Sequence, residues 1–177
     1  MREIPQKPPI PLNFFTLFSV FFVSIAIIAY QIVLMRSLSI TRYSHFSYLV
    51  ISTALLGFGT SGTFLTFFLE RIKEHAFLYI SIFFVFFTIS MPLCYFVAQK
   101  LPLDIQYVLL SGRQLLFLLL YNLFIFIPFF LGGVLLGTVI SLSKGKTTVV
   151  YGFNMLGSGA GGVIALLLMF LFSSSPN

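Results

Sequence analysis

Glycines at regular spacing are the residues most suggestive of chemistry in this chain. Gly157-Ser-Gly159-Ala-Gly161-Gly162 satisfies G-x-G-x-x-G, and Gly57-Phe-Gly59-Thr-Ser-Gly62 repeats it. Such a run can cradle a pyrophosphate, because glycine lets backbone N–H groups close around the anion at a helix start. That use requires a strand before the run, a helix opening at it, and an acidic side chain about 20 residues on. Both runs instead lie inside charge-free apolar stretches, and no acidic residue follows Gly162. At helical spacing the same residues form small-xxx-small rows: Thr53–Gly57–Ser61, Gly133–Gly137–Ser141 and Gly157–Gly161–Ala165. Rows of this kind let helix backbones approach closely where lipid supplies no hydrophobic drive. Helix packing is therefore the role expected for Gly57, Gly59, Gly62, Gly133, Gly137, Gly157 and Gly161, and no dinucleotide or other cofactor is expected.

Titratable groups are few. Glu3, Glu70, Glu74 and Asp104 fall in ends or loops, and no Ser-His-Asp or Cys-His grouping stands out, so no catalytic residue is assigned. His45 and His75 bracket one apolar run, roughly 30 residues or about 45 Å apart along a helix, and cannot grip one iron within a monomer. No metal site is expected. The amides Gln31, Asn122 and Asn154 lie within apolar runs. Polar groups are costly in hydrocarbon and tend to face the protein interior, where hydrogen bonds between helices would fix register.

The elements that must carry these residues follow from composition. Of 177 residues, 59% are hydrophobic and 8% charged, with mean hydropathy +1.07; an ordinary soluble domain carries about 25% charged residues. A helix of roughly 20 apolar residues spans a hydrocarbon core of about 30 Å. The charge-free runs predict an all-α integral membrane protein with about five transmembrane helices, packed through glycine-rich faces, at 12–36, 44–69, 76–98, 113–142 and 148–172. Residues 1–11 form a proline-rich lead-in, in which Pro8, Pro9 and Pro11 oppose helix, and 173–177 form a tail. The first apolar run is too long for a signal peptide and lacks a small-x-small cleavage site, which predicts an uncleaved span. Pro128 is expected to kink the fourth helix. The one cysteine, Cys94, excludes an intrachain disulfide. Helix alternation places Arg2, Lys7, Arg71, Lys73, Lys144 and Lys146 on one side, and Arg36, Arg42, Lys100 and Arg113 on the other. The larger set favours a cytoplasmic amino terminus, in a membrane of the prokaryotic inner type. The net charge of +6 needs no nucleic acid, since flanking bases meet anionic headgroups.

The stretches "AYQIVLMRSLSI", "SHFSYLVISTALLGFGTSGTF", "FIPFFLGGVLLGTVISL" and "VYGFNMLGSGAGGVIALL" come in an order that resembles the membrane half of fused spermidine synthase-like proteins. The arginine of "VLMRSLS", the run "ALLGFG" and the Tyr151, Asn154, Gly157 pattern carry the likeness. The resemblance implies a multi-span domain that accompanies a soluble aminopropyltransferase-type half. That half, with its sites for decarboxylated S-adenosylmethionine and polyamine, is not in this sequence. Gln31 stands where the family often has glutamate, which removes the charge a cation site would use.

Two functions are expected from this reading. The first is a non-catalytic membrane subunit or anchor, organising a partner enzyme, another membrane subunit or a second copy of itself. The second is a small-molecule or lipid transporter built from inverted repeats, suggested by the two glycine runs three spans apart. Gln31, Arg36, His45 and Asn122 are expected to face one polar pocket, whose positive charge would repel a polyamine and suit an anionic lipid headgroup.

Overall fold

A computed structural model describes residues 13–41, 47–100, 112–143 and 145–173, and among these there are five helices and no strand. They are α1 (Phe14–Thr41), α2 (Ser47–Glu74), α3 (Ala76–Lys100), α4 (Gly112–Leu142) and α5 (Thr147–Ser173). All five are long and apolar enough to cross a membrane. The expected lead-in at 1–11, Arg42, His45, Asp104 and Lys144 lie outside the described residues.

Helix ends follow local chemistry. The Asn13 carbonyl accepts from the Thr16 and Leu17 amides and opens α1. His75 alone separates α2 from α3, and its carbonyl accepts from Tyr79 N at 3.1 Å in the first turn of α3. Arg71 and Lys73 close α2, where cations oppose the negative end of the helix dipole. Between α4 and α5 the chain turns at Ser143–Lys146, with Lys146 N bonded to Ser143 O at 3.0 Å. Gly145 holds φ +81° in that turn, a conformation that costs glycine little and other residues more. Pro128 is accommodated within α4, which continues as one helix to Leu142.

The first two helices run further than the charge-free runs that predict them, to Thr41 and Glu74. A helix need not stop where charge begins. Arg36 is followed by five further residues of α1.

α4 sits at the centre. Half of its most apolar window is buried, against 17% for α3 and for α5. Its most extensive partner is α2, while α1 packs chiefly on α5, and α3 on α4. Within each of the two largest contacts the helices run parallel: Gly57 meets Phe129 and Leu65 meets Gly137, while Gly157 meets Phe21 and Gly161 meets Ile25. The bundle is therefore two parallel pairs of opposite direction, α1–α5 and α2–α4, with α3 laid against α4. The core they share centres on Ile27, Val50, Ile125 and Phe129. The outside is rich in phenylalanine and leucine, such as Phe67, Phe77, Leu166 and Phe170, a surface suited to lipid.

Candidate intramembrane cleft

Each parallel pair is tied by a hydroxyl and an asparagine. In α1–α5, Ser24 Oγ lies 2.7 Å from both Val20 O and Asn154 Oδ1. In α2–α4, Thr53 Oγ1 lies 2.7 Å from both Leu49 O and Asn122 Oδ1. A hydroxyl has one proton and cannot donate to two acceptors. Turning each amide by half a rotation resolves the conflict: the asparagine Nδ2 donates to the hydroxyl, which donates to the carbonyl one turn back in its own helix. The two ties lie at different depths. Ser24 and Asn154 are nearer the end where α1 begins, and Thr53 and Asn122 nearer the opposite end.

Glycine placement divides the seven expected packing positions. A Cβ built on Gly57 would lie 2.8 Å from Phe129 Cβ and 3.0 Å from Phe130 N. One on Gly161 would lie 2.7 Å from Ile25 O, and one on Gly157 would press on Phe21 O and stand 2.9 Å from Ser24 Cβ. Gly133 faces Ser61 and Phe58, and Gly137 faces the end of the Leu65 side chain. Gly59 and Gly62 are different: nothing lies within 4 Å of a Cβ at either. The seven positions thus divide into five that meet a neighbouring helix and two that meet none at Cβ distance. At about 100° per residue, Gly59 is turned some 200° from Gly57 and leaves the α4 face.

Between the two helix pairs lies a cleft of about 400 Å³. α1 lines it with Ser24, Ile27 and Ile28, α2 with Phe58, Ser61, Gly62 and Leu65, α4 with Gly133, Leu136 and Gly137, and α5 with Asn154 and Ser158. Glycines on two walls, Gly62 on α2 and Gly133 and Gly137 on α4, keep it open, since each replaces a side chain that would fill it. Its polar groups are hydroxyls and one amide, with no titratable side chain in the lining. Ser61 Oγ already donates to Phe58 O at 2.7 Å. Such a lining offers hydrogen bonds to a neutral polar group and offers no acid or base.

The residues expected to form a polar pocket go to separate partners. Arg36 Nη1 donates to Met169 O at 3.3 Å, in the last turns of α5, where a cation is favoured by the helix dipole. Asn122 is tied to Thr53 on α2. Gln31 is half-buried on α1, and His45 is outside the described residues. Asn154, singled out through the family pattern, is the member that lines the cleft. A further polar cluster was not anticipated: Gln99 Nε2 donates to Ser37 Oγ at 2.6 Å, and Ser37 Oγ is 3.3 Å from Tyr95 OH, joining α1 to α3. Nearby, the buried Tyr30 hydroxyl has no hydrogen-bond partner among the described residues. No signal in one sequence pairs serine 37 with residues some 60 positions away. Among the described residues no three His, Cys, Asp or Glu side chains group in a way that could hold a metal ion.

These features define a class: an all-helical chain whose five helices are apt for a membrane, built as two parallel pairs about a small polar cleft. Comparison with family models, curated proteins and solved structures found no match to this chain. The likeness to spermidine synthase-like membrane proteins therefore rests on the quoted residues alone.

Proposed function

We propose that this chain is an integral membrane subunit or anchor that organises a partner protein, without chemistry of its own. The observation that carries this is the second glycine face of α2. The row Thr53, Gly57, Ser61 is occupied by α4, whereas Gly59 meets no atom within 4 Å and lies in line with exposed Thr63 and Thr66, four and seven residues on. A small-residue face left open in this way suits a close-approaching helix from another chain. The partner class is a membrane or enzyme subunit, or a second copy; the family resemblance makes an aminopropyltransferase-type enzyme one candidate. Insertion with the amino terminus on the cytoplasmic side, in a prokaryotic inner membrane, is part of the same proposal and follows from the distribution of lysine and arginine.

Gly59→Leu should leave the monomer folded, because nothing lies within 4 Å of a Cβ at that position, yet abolish co-purification of the partner from native membranes. Partner recovery unchanged by this substitution would refute the docking face.

A second reading has its own observation. The cleft between two oppositely directed helix pairs fits the transporter alternative, in which a small neutral polar solute or a lipid headgroup enters between the halves. In that case proteoliposomes carrying the chain should show saturable flux of a neutral solute, and Asn154→Ala should lower it. Flux equal to that of protein-free vesicles across a solute panel would exclude this use of the cleft.

A further inference from the structure

A larger groove, of about 770 Å³, opens between α1 and α3 at the end of the bundle where both begin. Its floor is α4, through Leu135 and Val139, and its walls are almost wholly apolar. Its lining on α3 runs from the mouth at His75 to Val85, ten residues or about 15 Å of helix. That depth is half of a hydrocarbon core of about 30 Å, the thickness of one leaflet. The mouth is charged. Lys73 and Glu74, adjacent in sequence and opposite in sign, both line it beside His75.

We infer that this groove is a binding site for a zwitterionic aminophospholipid of the phosphatidylethanolamine type, one acyl chain in the trough and the headgroup at Lys73 and Glu74. An apolar trough of one-leaflet depth with charge only at its mouth has the polarity profile of a phospholipid. The mouth selects among headgroups. Lys73 Nζ donates to Glu70 Oε1 at 2.6 Å and retains two further N–H donors for a phosphate. The Glu74 carboxylate already has an interaction within the chain, but its two oxygens offer about four acceptor sites, so it can also take an ammonium, and its charge opposes a headgroup of net negative charge. A primary ammonium can also donate hydrogen bonds to that carboxylate, which a quaternary choline cannot. Ethanolamine therefore fits better than choline, and better than the anionic glycerol headgroup.

The chain contains no tryptophan, so a single introduced one reports its own surroundings. Phe84→Trp, on the groove wall, or Phe77→Trp near its mouth, places the probe in the site; both phenylalanines are exposed and tolerate a larger ring. Leu167→Trp on the outward face of α5 reports ordinary surrounding lipid. Each variant is reconstituted in bilayers in which brominated phosphatidylethanolamine, phosphatidylcholine or phosphatidylglycerol replaces its plain counterpart at equal fraction. The groove probes should show a severalfold preference for quenching by the ethanolamine lipid, while the α5 probe shows none. Lys73→Gln combined with Glu74→Gln should remove the preference. Equal quenching by the three lipids in the groove would overturn the headgroup assignment, as would a preference surviving the double substitution. Absence of quenching by any of them would show that protein fills the groove, either residues 1–12 or a second copy, and would overturn the site.

Discussion

Adding one methyl group at Gly161 or Gly157 should destabilise the bundle by about 1–3 kcal/mol, the usual cost of overpacking a close contact. The atoms in the way are backbone. A Cβ on Gly161 would stand 2.7 Å from Ile25 O and 2.9 Å from Ile25 Cα, and one on Gly157 would press on Phe21 O. Backbone cannot rotate aside as a side chain does, so α1 and α5 must separate along their length. Gly57→Ala belongs with them, since Phe129 Cβ and Phe130 N bar its face. The internal controls are sharp. At Gly137 the obstructing atom is the end of the Leu65 side chain, which can move, and at Gly159 there is nothing to meet. Alanine at Gly159 should be neutral or slightly stabilising, because it restricts the unfolded chain. Unfolding of the purified variants in mixed micelles measures the series. Equal losses at Gly161 and Gly159 would mean that α5 does not lie on α1 as described.

The two asparagine–hydroxyl ties should show measurable coupling in double-mutant cycles, about 0.6 kcal/mol on average and up to about 1.7 for hydrogen bonds between membrane helices. One cycle pairs Ser24→Ala with Asn154→Ala, and the other pairs Thr53→Val with Asn122→Ala. Each single substitution leaves a polar group without its partner, so the single losses should exceed the coupling. Thr53→Ser keeps the hydroxyl and should recover most of what Thr53→Val loses. The cross-pair, Ser24→Ala with Asn122→Ala, should be additive, because the ties join different helices. Coupling near zero within both pairs, with rescue by serine absent, would remove the ties as determinants of pairing. A loss confined to the Asn154 cycle would concern the cleft as well, since Ser24 and Asn154 both line it.

Much of the architecture was legible in the residues, and the part that was not has an identifiable cause. Run length and charge position are local properties, and five helices long and apolar enough to cross a membrane follow from them, though α1 and α2 each run five residues further than the charge-free runs. The continuation of α1 past Arg36 has no local signal, since Arg36 finds its partner, Met169 O, at the far end of the chain. Both glycine runs lie inside continuous helices, as their charge-free surroundings predict. Their division into occupied and open positions was not legible. A G-x-G-x-x-G string places glycines on two sides of a helix, and only a neighbour decides which side is covered.

The sequence by itself determined the solvent-facing character of this protein, its five long apolar helices and the small set of polar and glycine residues through which such helices can meet. The tertiary structure alone decided which helices meet. It put α1 against α5 and α2 against α4, gave Asn154 to Ser24 and Asn122 to Thr53, and left Gly59 without a neighbour and Gly62 on the cleft. The physical reason is that helices apolar on every side carry no hydrophobic stripe to point inward. Their orientation rests on close backbone approach and a few buried hydrogen bonds, and both depend on residues more than sixty positions apart.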